Sequence, residues 1–122
     1  MSNTEHSLPI ARTEVTIDDF EKIDIRVGKI LSAKILPKAK KPAYILEIDF
    51  GPLGIKHSSA QITIHYSPEE LVDRRILAVV NFPPRRIAGF ISEVLTLGVS
   101  DAAGAVALIH PDKDVPLGAQ LF

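Results

Sequence analysis

An all-β fold is predicted: a small five-stranded barrel with a short helix between strands three and four, an N-terminal helix before it and extra C-terminal strands after it. Three observations carry this. Apolar residues recur with period two over residues 23–35 and 44–50, the alternation of a strand with one buried face. Gly51, Pro52 and Gly54, and later Pro83, Pro84 and Gly89, punctuate the chain as turn residues do. The clearest helix signal is short, with Ser67 as N-cap, Pro68 at the first helical position and Glu70 three residues after the serine,.

The elements follow in order. Residues 1–15 are polar and aperiodic and read as a flexible N-terminal tail, leaving 16–122 as the folded domain. Thr16, with Asp19 three residues on, caps a helix over Ile17–Lys22,. In the first strand Ile23, Ile25, Val27, Leu31, Ala33 and Ile35 share one parity, and the phase breaks at Lys29 and Ile30, directly after Gly28. A glycine at a phase error predicts a bulge or bend there. The second strand alternates Tyr44, Leu46, Ile48 and Phe50 with Ile45, Glu47 and Asp49, and a third starts near Ile55. After the short helix come a buried strand at Ile76–Val80, a loop at Asn81–Gly89, a fifth strand at Ile91–Leu97, and weaker strands at Val106–Ile109 and the C-terminus. Five strands with a helix between the third and fourth is the order of the OB-fold, whose first-to-second and fourth-to-fifth strand loops flank its ligand face.

Composition excludes several classes. At 122 residues the chain fits one domain,. With no cysteine it has no disulfide framework, thiolate metal site or cysteine nucleophile,. The N-terminus lacks the pattern of a secretory signal and no apolar run approaches a membrane span, so the cytoplasm is the expected location,. The four histidines show no ligand spacing, and His57-Ser58-Ser59 reads as a polar strand end. No catalytic, metal or cofactor site is expected.

Net charge is -1 at neutral pH, which by itself argues against a nucleic-acid binder. Its distribution argues the opposite. Residues 29–46 carry Lys29, Lys34, Lys38, Lys40 and Lys41 and no acid, and residues 74–92 carry Arg74, Arg75, Arg85 and Arg86 and no acid. These stretches centre on the loops Pro37–Pro42 and Asn81–Gly89, the two that an OB-fold brings to one face. In the second, adjacent prolines fix the approach, Gly89 frees the backbone, and arginine forks suit phosphate oxygens or base faces. Arg74 and Arg75 sit at the start of strand four, where they can fall outside such a site. Aromatic support is thin: Phe82 and Phe90 flank the basic loop, and Phe82 reads equally well as core.

The segments FEKIDIRVGKI, GIKHSSAQIT and VNFPPRRIAGFISEVLTLG closely resemble the CsaA family of small tRNA-binding-domain proteins, described as secretion-related chaperones. The likeness spans residues 17–122 and extends to the tRNA-binding domain appended to methionyl- and phenylalanyl-tRNA synthetases. It implies an OB-fold, a homodimer formed through the terminal extensions, and non-catalytic binding of structured RNA. The family's DIRVG start falls on Asp24–Gly28, and its binding pattern on Asn81, Arg85, Arg86, Gly89 and Ser92. With Lys38, Lys40 and Lys41 from the basic loop, these are the expected RNA-binding residues. Two departures stand out: Leu36-Pro37 and lysines replace a common His-Pro and acid, and Glu93-Val94 replaces a common Gly-Met. The second sets a carboxylate beside the expected site. The resemblance equally implies a polypeptide-binding chaperone acting on unfolded or secretory chains. That activity needs an exposed apolar groove; Val115, Leu117 and Phe122 are candidates for it or for barrel or dimer core.

Overall fold

The structure is a computed structural model and describes residues 10–122. Residues 1–9 of the expected tail lie outside the described residues, and residues 10–15 form no helix or strand. Helix α1 (Ile17–Glu21) begins where expected, the Thr16 hydroxyl accepting a hydrogen bond from the Asp19 N–H at 3.2 Å. Strands β1 (Ile25–Ile35), β2 (Tyr44–Asp49) and β3 (Ile55–Ala60) follow, with a 3-10 turn at Gly51–Leu53. Helix α2 (Pro68–Leu71) leads into β4 (Arg75–Val79). Its capping box is complete: the Glu70 N–H donates to the Ser67 hydroxyl and the Ser67 N–H to the Glu70 carboxylate. The Ser67 amide, and then its hydroxyl, favour the ionised acid and hold the Glu70 carboxyl below its ordinary range, helped by Arg74,.

The chain from Arg85 departs from expectation. A continuous loop to Gly89 was expected, but Arg85–Ile87 forms β5 and pairs with β6 (Phe90–Ser92). Because Ile87 pairs with Phe90, only Ala88 and Gly89 form the turn, and their φ of 50° and 80° fit the tight hairpin turn that requires positive φ at both central residues. The single strand expected over Ile91–Leu97 is split into β6 and β7 (Leu95–Thr96). Strands β8 (Gly98–Ser100) and β9 (Val106–Leu108) then form a second hairpin.

The main sheet runs β3-β2-β1-β4-β7, antiparallel throughout. β1 serves both halves: residues Ile25–Lys29 pair with β4, and Lys29–Ile35 with β2. The irregularity expected at Gly28 lies instead between Ile30 and Ser32, where Leu31 has no partner on β2. Gly28 has another task. A Cβ there would lie 2.5 Å from Ile48 Cγ2 and 2.7 Å from Phe50 Cε1, so the glycine admits two core side chains against the β1 backbone.

Ile30, Leu46, Ile48, Phe50, Leu71 and Ile76 are fully buried and centre the barrel core; Leu71 is the buried residue that α2 contributes. Closure between β3 and the β6–β7 link relies on side chains. The Glu93 N–H donates to the His57 carbonyl at 2.8 Å. The His57 N–H donates to Glu93 Oε1 at 2.8 Å, and the Ser59 N–H to the Ser92 hydroxyl at 3.0 Å. Two strand amides that a regular ladder would pair with carbonyls are thus satisfied by a carboxylate and a hydroxyl, and the result is a nearly closed five-stranded barrel of the OB type.

The C-terminal segment runs along the first half of β1. The Val27 N–H donates to the Ala119 carbonyl at 2.9 Å and the Leu121 N–H to the Ile25 carbonyl at 2.9 Å. No helix among the described residues is long and apolar enough to cross a membrane.

Candidate nucleic-acid interface

A groove of about 820 Å³ opens between the two basic segments. Lys38, Lys40 and Lys41 line it together with Phe82, Pro83 and Arg85. Its apolar lining includes Ile62, Val94, Val106 and Leu108. The volume falls within the range of ligand clefts. Fold topology therefore brings together lysines and an arginine that are far apart in sequence.

The rim cations are exposed, and among the described residues none of Lys38, Lys40, Lys41, Arg85 or Arg86 makes an ion pair within 4.0 Å. The other arginines of the barrel are engaged. Arg26 Nε lies 2.6 Å from Asp24 Oδ1, Arg75 Nη2 lies 3.3 Å from Asp114 Oδ1, and Arg74 stacks over the Tyr66 ring at 5.0 Å. Arg74 and Arg75 line no part of the groove.

Lys38 holds a φ of 68°, a left-handed backbone that glycine adopts with less strain. If its charge serves binding, Lys38→Gly should move two measurements in opposite directions. Thermal stability should rise slightly, since relief of about 1–2 kcal/mol of left-handed strain exceeds the added chain entropy of about 0.4–1 kcal/mol, while affinity for a polyanion falls.

The hairpin separates the two arginines that sequence reading grouped. Arg85 pairs with Ser92 and Arg86 with Ile91, so the alternation of a two-stranded ribbon places Arg85 and Arg86 on opposite faces. Arg85 lines the groove and Arg86 does not. Gly89 sits at the ribbon tip with open space around it.

Asn81 and Ser92 are held by the protein itself. Asn81 Oδ1 accepts from the Asp24 N–H at 2.9 Å and its Nδ2 donates to the Lys22 carbonyl at 2.8 Å. It ties the end of β4 to the entry of β1 and lies outside the groove lining. Arg26, beside Asp24, donates to the Gly118 carbonyl at 3.0 Å, so the polar residues of DIRVG anchor the C-terminal segment. Ser92 is buried at the groove floor, donating to the Val94 carbonyl at 3.3 Å while it holds the Ser59 amide.

Glu93 lines the groove, but its Oε1 is committed to the His57 amide and lies 3.3 Å from the His57 ring. The carboxylate is a closure clip, and this explains how an acid is accommodated in a groove lined by Lys38, Lys40, Lys41 and Arg85. Sequence reading missed the clip because its partner is 36 residues away. It also left Phe82 undecided; the ring is half-exposed at the groove rim.

The β8–β9 hairpin forms one wall through Gly98, Val106 and Leu108. Its turn is held by Asp101, whose Oδ1 accepts from the Ala103 and Ala105 N–H groups at 2.9 Å each, while Oδ2 lies 2.6 Å from His65 Nε2. The His65 contact, then the Ala105 and Ala103 amides, hold the Asp101 carboxyl below its ordinary value. Its contribution to stability is therefore present above the unfolded-state value and lost as pH falls through the lower folded value. The Ala103 and Ala105 amides should gain hydrogen-exchange rate relative to the β1–β2 ladder as acid is added, and Asp101→Asn should abolish that pH dependence.

The family described as a putative tRNA binding domain matches residues 25–120. A methionine–tRNA ligase of Porphyromonas gingivalis is 40% identical over 113 residues, which cover 93% of this chain and 16% of the ligase. The chain thus spans a small fraction of the curated relatives it matches. The solved chaperone CsaA of Bacillus anthracis str. Ames superposes with a TM-score of 0.86 at 48% identity, covering 90% of this chain and 100% of that one. The CsaA chaperone protein of Picrophilus torridus gives a TM-score of 0.83 at 51% identity, covering 89% and 100%. With most of its length matched by the domain family and the full length of both CsaA structures covered, the chain belongs to the tRNA-binding-domain family and, within it, to the CsaA group.

Proposed function

We propose that this chain is a non-catalytic tRNA-binding protein that holds RNA phosphates with Lys38, Lys40, Lys41 and Arg85 at the groove rim. Arg86 reaches the RNA from the outer ribbon face, Gly89 shapes the ribbon tip, and Asn81 and Ser92 position the loops without touching RNA. One observation carries this reading: two acid-free basic segments meet at one groove, and the cations that line it, Lys38, Lys40, Lys41 and Arg85, make no ion pair within 4.0 Å among the described residues. Cations left unpaired around a concave surface complement a polyanion, and the family match names the polyanion. The cytoplasm is where such a protein would meet tRNA. The test is the salt dependence of tRNA binding. About four to six neutralised phosphates predict a log-log slope near -3 to -5, and a flat response overturns the reading.

The functional unit is proposed to be a homodimer. A second, apolar hollow of about 260 Å³ is lined by Val27, Leu77, Pro111, Val115, Leu121 and Phe122, on the side of β1 that carries the C-terminal segment. Leu117 does not line it; its backbone packs against Gly51. Burying this hollow in a second copy would give two RNA sites and raise avidity. A Val115→Glu chain should sediment as a monomer and bind tRNA more weakly.

A polypeptide-binding chaperone is the second reading, favoured by the apolar groove floor and by the two solved relatives described as chaperones. Suppression of aggregation that survives alanine at Lys38, Lys40, Lys41 and Arg85 would separate that activity from RNA binding.

A further inference from the structure

We propose that the groove seats one unpaired nucleobase against Phe82, with the flanking phosphates held by Arg85 and the lysines of residues 38–41. This rests on the tRNA-binding reading and specifies what part of an RNA the site recognises.

Phe82 carries the inference. Its ring is 46% exposed, whereas Phe50 is fully buried in the core. The chain has no tryptophan, five phenylalanines and two tyrosines, so aromatic surface is scarce, and Phe82 keeps nearly half of its area open at the groove. Among the described residues it stacks on no other aromatic ring. It lies at the groove rim beside Pro83 and Arg85, and the rigid Pro83-Pro84 pair follows it directly. An exposed aromatic face bordered by cations that make no ion pair among the described residues is the arrangement on which single-stranded bases stack.

The groove interior agrees. Ile62, Val94, Val106 and Leu108 present apolar surface that a phosphate backbone does not use but a base face does. A base within a duplex is already stacked and cannot turn its face to Phe82, so loops, bulges and ends are the expected ligands. Charge decides between a base and a polypeptide segment as occupant. Glu93 is the one acidic residue lining the groove among those described, and its Oε1 is held by the His57 amide. The rim therefore offers cations at Lys38, Lys40, Lys41 and Arg85, which complement phosphates on both sides of the base.

The experiment compares Phe82→Ala, Phe82→Leu, Phe82→Trp and Arg85→Ala with the unaltered chain. Each is titrated with folded tRNA and with a single-stranded hexaribonucleotide carrying one 2-aminopurine, across a salt series. Phe82→Ala should weaken both ligands about tenfold with the salt slope unchanged, because no phosphate contact is removed. Phe82→Trp should restore affinity and the 2-aminopurine emission change, and Phe82→Leu should restore neither. Arg85→Ala should instead reduce the slope by about 0.7–0.9. Equal thermal midpoints across the variants separate a lost contact from a disturbed fold. Wild-type affinity in Phe82→Ala, or full affinity in Phe82→Leu, overturns the nucleobase proposal while leaving tRNA binding standing. Absence of salt-dependent tRNA binding in the unaltered chain overturns the underlying reading as well. An unfolded polypeptide whose binding depends on Phe82 while the hexanucleotide's does not would also overturn it, in favour of a peptide site.

Discussion

Alanine at Lys38, Lys40 and Lys41 together is expected to weaken tRNA binding by about a hundredfold near physiological salt and to flatten the log-log slope by about two to three. Each phosphate contact releases counterions worth about 0.7–0.9 of slope, and three such contacts account for a loss of that size. The side chains are exposed and make no ion pair among the described residues, so the thermal midpoint should hardly move; surface substitutions of this kind usually stay within about 0.5 kcal/mol. Isothermal titration with unmodified tRNA at several salt concentrations measures both quantities. The arginines supply the internal comparison. Arg85→Ala should cost more than Arg86→Ala, because only Arg85 faces the groove. Equal losses would mean that the RNA lies along the ribbon and not in the groove.

The largest effect on stability is expected from Gly28→Ala. Replacing glycine in a strand normally helps, by about 0.4–1 kcal/mol through the unfolded chain. Here the new methyl would meet Ile48 Cγ2 at 2.5 Å and the Phe50 ring at 2.7 Å and 2.9 Å, and both side chains are fully buried. Neither can move outward, so overpacking of about 2–3 kcal/mol outweighs the entropic gain. The thermal midpoint should fall by roughly 10 °C. Pairing the substitution with Ile48→Ala, which removes the Cγ2 atom nearest the methyl, should give a loss smaller than the sum of the two single losses,; strictly additive losses would place the cause elsewhere.

Gly28 also shows what a linear sequence conveys and what it does not. Its place at the phase error marked it as special, but period-two reading cannot separate a bulge from a close packing contact, and the unpaired residue is Leu31. Local signals transferred well. The Ser67–Glu70 capping box and the Tyr44, Leu46, Ile48, Phe50 face depend on residues a few positions apart, and both stand as expected. The meeting of the two basic segments was legible through topology, because element order alone predicts which loops share a face. Barrel closure was not legible. It depends on Glu93 and Ser92 side chains replacing ladder carbonyls for His57 and Ser59, a long-range arrangement with no local signature. For the same reason the resemblance could not show that the Asn81 side chain is bonded to Lys22 and Asp24, tying the end of β4 to the entry of β1. Arg85 and Arg86 were inseparable until the β5–β6 register assigned them to opposite faces.

The most direct test of the central claim, that tRNA occupies the groove between the two basic segments, is a backbone amide NMR titration of the chain with folded tRNA. The largest shifts are predicted at Lys38–Lys41, Gln61–Ile62 and Arg85–Thr96, the segments that line the groove. Residues Val115–Phe122 and the first half of β1 should change little, beyond uniform broadening from the size of the complex. Shifts concentrated at Val115–Phe122, with the lysine loop and ribbon unmoved, would contradict the account.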